Sequence, residues 1–331
     1  MGQSRIPPTP SDIKLDGKTI IITGGNSGLG LEAARQYLVL GASRVILACR
    51  SITRGQEALS ALRADPVVNN ANPGAIIEVF ELDLADYQSG LRFTDKVKKE
   101  VKELDILLNN GGQVVIKYEK APTGHERNFQ VNCLTHILIC LELFPLLRAT
   151  AASQGSPTRI TYTGSAAQIS QNTLSKKPIT STETVLGHFD EEANFSSWFR
   201  YADTKLAVNA HVRRLAMLAP SEVIVNNICP GFVRTGLDKN LPIHLKFLMS
   251  LVRKSAGRTP EEGARTLIYA SAVAGPKTNG KFMQNNKIDA RAEFLNGPDG
   301  EKFIDELWKE TLEDVIKVDP TLSWALAIGS S

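Results

Sequence analysis

The sequence predicts an α/β fold, with a single doubly wound parallel sheet and helices on both of its faces. From Lys18 onward, short β-branched runs alternate with amphipathic helical stretches. Several of these runs are apolar at successive positions, which is typical of strands buried on both faces of a parallel sheet. Strand–helix alternation also supplies the crossover connections that a parallel sheet requires.

The elements of this fold can be placed along the chain in order. The candidate strands cover 18–23, 44–49, 75–83, 104–110, 158–164 and 222–228. Helical patterns lie between them, for example at 31–42 and at 203–218, and the second is apolar at Leu206, Val208, Leu215 and Leu218. Right-handed crossovers between such strands would make the sheet doubly wound.

One domain is predicted, with additions at defined places. Residues 1–17 form a polar N-terminal tail that contains prolines, and 18–331 form the domain. An insertion at 168–199 is polar and has no clear periodicity, which predicts a surface excursion. A second departure at 236–258 contains the apolar run LPIHLKFLMSLV, and a C-terminal extension covers 286–331.

Composition indicates an ordinary globular protein. The chain has 331 residues, of which 42% are hydrophobic and 22% are charged, and its net charge is +3. These values exclude collagen, coiled coil and general disorder, and they give no reason to expect nucleic acid as a partner. We find no apolar run of about 18 residues and no signal peptide, so we expect no transmembrane segment and a cytoplasmic location.

Cysteine and histidine usage predicts no metal site. Cys49, Cys133, Cys140 and Cys229 each lie in an apolar stretch and lack both metal-ligand spacing and a secreted disulfide pattern. They are predicted to be buried thiols in a reducing compartment. The five histidines do not cluster with cysteine, aspartate or glutamate.

A glycine-rich turn, TGGNSGLG, follows directly after the first candidate strand. Such a turn lets the backbone approach a pyrophosphate, and the N-terminus of the next helix offers free N–H groups and a positive dipole. A tight strand–helix turn without a ligand is the alternative. The candidate cofactor contacts in this turn are Gly24, Asn26, Ser27, Gly28, Leu29 and Gly30.

Arg50 bears on the choice of cofactor. It ends the second candidate strand, 20 residues after Gly30, where a ribose-reading residue is expected. An acid there would bind the 2′-hydroxyl of NAD(H), whereas arginine suits a 2′-phosphate, with Arg54 as a second contact. NADP(H) is therefore favoured over NAD(H), although a solvated arginine at a strand end would look the same.

The segment YADTK places Tyr201 and Lys205 four residues apart, on the same side of a helix. A phenol has an ordinary pKa near 10, and a neighbouring ammonium group stabilises its phenolate. The pair could therefore transfer a proton near neutral pH. Taken alone, this spacing also occurs by chance.

Seven short motifs occur in a recognisable order. They are TGGNSGLG, LDL at 82–84, NNGG at 109–112, VNCL at 131–134, TGS at 163–165, YADTK, and PGFVRT at 230–235. In this order the chain resembles the short-chain dehydrogenases/reductases, over about residues 18–285, which implies a Rossmann-like sheet. The segments ILACRSITRGQ and RTPEEGARTLIYA resemble the retinol dehydrogenase-like branch, and the longer C-terminal tail resembles fungal members that act on secondary metabolites.

The resemblance implies a role for each matching catalytic position. Tyr201 would be the general acid/base, and Lys205 would lower its pKa and bind the nicotinamide ribose. Ser165 would hold the substrate carbonyl, and Asn132 would anchor a water that continues the proton relay. The simple alternative for Asn132 is a helix kink.

Further cofactor contacts follow from the same resemblance. Asp83, next to Leu84 in LDL, would contact the adenine, and Asn110 the adenosine ribose region. Val233 and Thr235 would contact the nicotinamide carboxamide and its neighbouring phosphate. Turn residues without a ligand are the alternative for Asp83 and for the turn at Pro230 and Gly231.

Two departures from the family pattern stand out. Gly111 replaces an alanine in NNGG, so this turn is expected to be looser but still able to hold the cofactor. Ser165 and Tyr201 are 36 residues apart, much further than is usual in the family. Ser165 is preferred over Ser170 and Ser175 because it ends a candidate strand.

These features together predict an NADP(H)-dependent oxidoreductase that interconverts a ketone or aldehyde with an alcohol. The family resemblance implies that the apolar segment at 236–258 caps the substrate, which favours a bulky hydrophobic small molecule; a helix that packs on the core is the alternative. Alternatives are an enzyme of the same fold that catalyses a non-redox step, such as cyclisation or isomerisation, and a non-catalytic NADP(H)-binding interaction protein. By resemblance alone, a homodimer or homotetramer is expected.

Overall fold

The computed structural model describes residues 3–170, 172–174, 176–234, 257–291 and 293–327. Within these residues, one mostly parallel sheet lies between two layers of helices. Its strands are β1 Thr19–Thr23, β2 Arg44–Cys49, β3 Ile76–Glu81, β4 Ile106–Asn109, β5 Thr158–Thr163, β6 Val223–Cys229, β7 Phe282–Gln284 and β8 Lys287–Ile288. This architecture confirms the predicted fold class.

Helices connect the strands and cover both faces of the sheet. They are α1 Gly28–Val39, α2 Ile52–Ala64, α3 Pro66–Ala71, α4 Tyr87–Glu100, α5 Arg127–Phe129, α6 Thr135–Gln154, α7 Ala167–Ser170, α8 Val185–Asp190, α9 Arg200–Leu218, α10 Pro260–Ile268 and α11 Pro298–Val318. A π-helical turn at Gln130–Leu134 joins α5 to α6 without a break. Side chains fix several starts: Asp86 accepts two backbone N–H bonds at the start of α4, for example.

The strand order is β3-β2-β1-β4-β5-β6-β7-β8. All neighbouring pairs are parallel except β7 with β8. From β1 the chain moves outward through β2 to β3, and then crosses back to β4 on the other side of β1. The carboxyl ends of β1 and β4 therefore flank a topological switch point, where open α/β sheets form a ligand-binding crevice.

The core has two parts, one on each face of the sheet. Ile20 and Ile22 of β1 point into the cluster that contains Tyr37 of α1, while Ile21 points into the opposite cluster. This alternation follows from the twofold side-chain period of a strand. Because both faces are covered, the strand is apolar at successive positions, as the sequence pattern predicted.

Two parts of the fold differ from the sequence predictions. Strands β7 and β8 were not predicted, because three and two residues are too few to show a periodicity. The insertion at 168–199 is not wholly a surface excursion: Val185 and Phe189 of α8 are 1% exposed. Phe189 stacks on Phe129, with ring centroids 4.6 Å apart. Because the insertion is mostly polar, its sequence did not indicate this buried apolar face.

The C-terminal extension packs against the same side of the sheet. Phe303, Leu307 and Trp308 of α11 are buried in the hydrophobic cluster that also contains α9. The carboxylate of Glu310 accepts the backbone N–H groups of Val185 and Leu186, both at 2.8 Å. The extension therefore holds the start of α8, and with it the insertion.

The four cysteines are free and buried, as predicted. One helical stretch, Arg127–Gln154, is long and apolar enough to cross a membrane by length and composition. Its most apolar window is 89% buried inside the protein, and a buried core helix meets the same two criteria.

Candidate active site

The glycine-rich turn adopts a conformation that its glycines make accessible. Gly24 and Gly28 have φ values of +65° and +56°, in the left-handed region that side chains disfavour. A Cβ atom on Gly30 would lie 2.5 Å from the carbonyl oxygen of Gly24 and 2.6 Å from Nδ2 of Asn110. Only glycine therefore allows α1 to approach the ends of β1 and β4 this closely.

The start of α1 fits an anionic group. Ser27 occupies the N-cap position, but its side chain makes no capping hydrogen bond. Ser27 and Gly28 are both exposed, so the first-turn N–H groups and the positive helix dipole face the crevice. Here the residues present could hold the pyrophosphate of a nicotinamide dinucleotide.

Arg50 directly follows β2, the neighbour of β1 in the sheet. The two strands pair in parallel up to Thr23 and Ala48. The side chains of Arg50 and Arg54 are both exposed, and the backbone N–H of Arg54 is bonded to Oγ of Ser51 at the start of α2. Both side chains are therefore accessible to solvent at the carboxyl end of β2.

Thr23 ties the ends of β1 and β4 together. Its Oγ1 accepts the backbone N–H groups of Asn110 at 3.0 Å and Gly111 at 2.9 Å. Asn110 in turn donates from Nδ2 to the carbonyl oxygen of Thr23 at 3.0 Å. The backbone N–H and the side-chain amide of Asn110 thus hold the ends of β1 and β4 together at the base of the crevice. Sequence reasoning did not identify Thr23 as a site residue.

Gly111 does not leave this turn loose. A Cβ atom at this position would lie 2.5 Å from Cδ1 of Leu84. The space that an alanine methyl group would need is thus filled by Leu84, which is buried. The replacement of alanine by glycine is compensated by packing.

Ser165, Tyr201 and Lys205 meet at the carboxyl end of β5, despite the long insertion. The Ser165 side chain lies close enough to Tyr201 to lower the pKa of its phenol. Lys205 Nζ donates to the carbonyl oxygen of Thr163 at 2.7 Å and lies 5.7 Å from the centroid of the Tyr201 ring. The segment between Ser165 and Tyr201 extends away from the site and returns to it, so the two side chains remain close together.

Burial controls the acidity of this group. It raises the pKa of Tyr201 well above its ordinary value, and the nearby Ser165 side chain lowers it only in part. The lowering that was expected from Lys205 is not among the effects that act on this phenol. Burial also lowers the pKa of Lys205 to about 8, because an ammonium group loses hydration in the interior.

Asn132 lies in the π-turn Gln130–Leu134, an irregularity within the helix. A helix kink was the alternative interpretation of Asn132, and the structure places this irregularity next to the candidate site. Its Oδ1 accepts the backbone N–H of Gln113 at 2.8 Å, and Nδ2 donates to the Gln113 carbonyl at 3.0 Å and to Thr204 Oγ1 at 3.1 Å. The amide therefore joins three segments around the site. Neither Gln113 nor Thr204 was singled out from sequence, although Thr204 lies within YADTK.

The other predicted cofactor residues have distinct placements. Asp83 is half-buried after β3, and its Oδ1 accepts the backbone N–H of Ala85 at 3.0 Å, as in its turn alternative. A Cβ on Gly263 would lie 2.7 Å from Val233 and 2.9 Å from Leu29, so these two side chains meet beside the glycine-rich turn. Thr235, and the segment 236–258 up to residue 256, lie outside the described residues.

No group of three or more potential metal ligands occurs in the part of the chain that the structure describes. The site is therefore built from hydroxyl, amide and ammonium groups. They surround the crevice at the ends of β1, β4 and β5. Such an arrangement can bind a dinucleotide and hold a proton donor next to a reacting carbonyl or alcohol.

Comparisons with known proteins agree with this geometry. A family model described as short chain dehydrogenase matches residues 18–174. The short chain dehydrogenase sor7 of Hypocrea jecorina is 70% identical over 88% of this chain and 82% of its own length. The short chain dehydrogenase macD of Penicillium terrestre is 38% identical over 95% of both chains.

A solved structure shows the same fold. It is that of the Pseudomonas aeruginosa RhlG/NADP active-site complex, with a TM-score of 0.61 and 23% identity, which covers 82% of this chain and 95% of the other. The two fungal relatives, at 70% and 38% identity, show that the chain belongs to the short-chain dehydrogenases/reductases, a family of oxidoreductases.

Proposed function

We propose that the protein is an NADP(H)-dependent oxidoreductase that interconverts a ketone or aldehyde with the corresponding alcohol on a bulky hydrophobic small molecule. The observation that carries this proposal is the meeting of Ser165, Tyr201 and Lys205 at the end of β5. The fungal relatives favour a secondary metabolite as the substrate.

NADP(H) is the cofactor we propose, for two reasons. The helix start at Gly28 suits a pyrophosphate, and the exposed Arg50 suits the 2′-phosphate that distinguishes NADP from NAD. The structural neighbour RhlG was solved with NADP. When bound, this cofactor supplies or accepts the hydride.

The protein's own residues would handle the proton. Ser165, whose side chain lies close to Tyr201, would orient the substrate oxygen, so that this oxygen receives its proton from the Tyr201 hydroxyl during reduction. Lys205 would stabilise the tyrosinate left behind, since its ammonium group lies on the next turn of the same helix. Asn132 would hold the backbone at Gln113 next to this group.

Consumption of NADPH by the purified protein tests the proposal, with a panel of bulky ketones and aldehydes as substrates. Tyr201→Phe should abolish turnover while NADPH still binds. Tyr269→Phe is the matched control, because Tyr269 packs in the hydrophobic cluster on the other face of the sheet. If NADPH binds but no carbonyl is reduced, and Tyr201→Phe leaves the biological product unchanged, the redox assignment fails.

A further inference from the structure

A buried pair of charges lies directly behind the candidate catalytic tyrosine. Arg200 is the first residue of α9 and precedes Tyr201; its side chain is 1% exposed. Its Nε lies 3.9 Å from Oε2 of Glu126, a carboxylate that is fully buried. Arginine and glutamate are rarely removed from water in this way, because each loses its hydration. Because the desolvation of both charges is costly, we expect this buried pair to have a structural role.

Glu126 connects the pair to Asn132. Its Oε1 and Oε2 accept the backbone N–H groups of Asn128 and Phe129, each at 3.0 Å, and so cap the helical turn Arg127–Phe129. This turn runs directly into the π-turn that carries Asn132. Arg200 and Glu126 therefore link the first turn of α9 with the start of the π-turn.

The insertion covers this link. The guanidinium group of Arg200 lies 5.1 Å from the Phe189 ring centroid and 5.5 Å from that of Phe195, and Nη2 donates to the carbonyl of Asn194 at 3.3 Å. One turn further along α9, the buried Asp203 accepts the backbone N–H of Thr173 at 2.6 Å. The insertion thus contacts α9 at Arg200, which precedes Tyr201, and at Asp203, which follows it.

We propose that Arg200 and Glu126 are positioning residues that fix the Tyr201 turn of α9 relative to the Asn132 turn, and that the insertion keeps this pair out of water. The two groups are not hydrogen-bonded to each other, and Nε and Nη1 of Arg200 have no hydrogen-bond partner, so they interact through their charges. The attraction between two charges is stronger in the dry interior than at the surface. This inference rests on the proposed function, in which the Tyr201 turn and the Asn132 turn must be held together at one site.

Kinetics provide the first test. Arg200→Met and Glu126→Gln should lower kcat by about 10- to 100-fold with little change in the KM for NADPH, since displacing a reacting group by about 1 Å costs on this scale. Arg200→Lys keeps the charge and should recover part of the loss. Arg214→Met is the matched control: Arg214 lies on the same helix but pairs with Asp305 near the surface. Unchanged kcat in Arg200→Met, or an equal loss in Arg214→Met, would overturn the inference.

Hydrogen–deuterium exchange provides a test that does not need turnover. Loss of the Arg200 side chain should speed exchange in the segment 128–134, which belongs to a different element, and Arg214→Met should not. Arg200→Lys, with a smaller effect in the same segment, serves if Arg200→Met does not fold. Unchanged exchange at 128–134 in both Arg200 variants would reject the link. If the wild type reduces no carbonyl, the proposed function fails, and the exchange data still decide whether the pair joins the two turns.

Discussion

Asn132 Nδ2 donates to Thr204 Oγ1 across 3.1 Å, so the π-turn is fastened to α9 between Tyr201 and Lys205. Both side chains are almost completely buried. No water can therefore replace the acceptor when one partner is removed. The bond is placed where a small displacement would move both residues of the proposed proton-transfer pair.

Thr204→Val should therefore slow the reaction. Valine keeps the size of threonine but removes the acceptor, which leaves a buried amide donor unsatisfied at a cost of about 1–2 kcal/mol. If this cost appears in the transition state, kcat falls roughly tenfold. Thr204→Ser, which keeps the hydroxyl, is the control. Equal kcat values for the valine and serine variants in a steady-state assay would show that the bond has no catalytic effect.

The rate of carbonyl reduction should fall as the pH rises through about 8. Burial lowers the pKa of Lys205 to about 8, so the ammonium group is present below this pH and lost above it. The tyrosinate formed during reduction would then lose its stabilising charge. A profile of kcat/KM against pH, measured for the wild type at saturating NADPH, checks this. A rate that stays constant well above pH 8 would contradict it.

His125 should stabilise the protein below neutral pH. Its Nδ1 lies 2.7 Å from Asp190 Oδ2 of the insertion, and its Nε2 lies 3.0 Å from Asp314 Oδ2 of α11, to which Tyr87 also donates. Burial alone would lower the pKa of His125, but these two carboxylates outweigh it and raise the pKa to about 9. Asp190, at the end of α8 in the mostly polar insertion, is thus paired with His125.

The sign of this effect follows from the raised pKa. The contribution is fully present below the unfolded pKa of about 6.5 and is lost as the pH rises through about 9; its full size is about 3 kcal/mol. His125→Gln should therefore lower Tm most near pH 6. Thermal melts of both proteins should converge above pH 9. A difference in Tm that is independent of pH would point to packing instead of charge.

Arg50→Ala should weaken the preference for NADPH over NADH. The charge-assisted hydrogen bonds of a guanidinium group with a phosphate contribute about 1.5–3 kcal/mol, which corresponds to roughly 10- to 100-fold in KM for NADPH. The KM for NADH should change little. Arg63→Ala, which removes an exposed arginine from α2, is the control. An unchanged ratio of the two KM values would show that Arg50 is the solvated strand-end residue of its alternative.

Gln3 should affect cofactor binding from a distance. Its Nε2 donates to the Phe232 carbonyl at 2.8 Å and its Oε1 accepts the Phe232 N–H at 2.7 Å, next to Val233. Arg258 braces the same segment by donating to the carbonyl oxygens of Pro230 and Ser4.

Gln3→Leu removes both bonds to Phe232, which together contribute about 1–3 kcal/mol to holding this segment. It should raise the KM for NADPH roughly fivefold, which corresponds to the transmission of about 1 kcal/mol to the cofactor site. Arg5→Ala, with an exposed side chain in the same tail, should behave like the wild type. Equal NADPH affinity in all three proteins, measured by titration, would show that the tail has no such effect.

The sequence by itself determined the strand–helix order and the glycine-rich turn, because both follow from local periodicity and local steric demand. The spacing of Tyr201 and Lys205 belongs to the same class, since residues four apart lie on one side of any helix. Strands β7 and β8 were not predicted because so few residues form them. The buried face of α8 was not predicted because the surrounding residues of the insertion are polar.

Only the tertiary structure decided which distant residues meet. Ser165 and Tyr201 come together across the insertion, and Glu126 lies behind Arg200, because the sheet order and the packing of the insertion bring their elements side by side. The lowered pKa of Lys205 could not be predicted from the sequence either. Desolvation depends on everything that surrounds a group, and those surroundings come from parts of the chain that are remote in sequence.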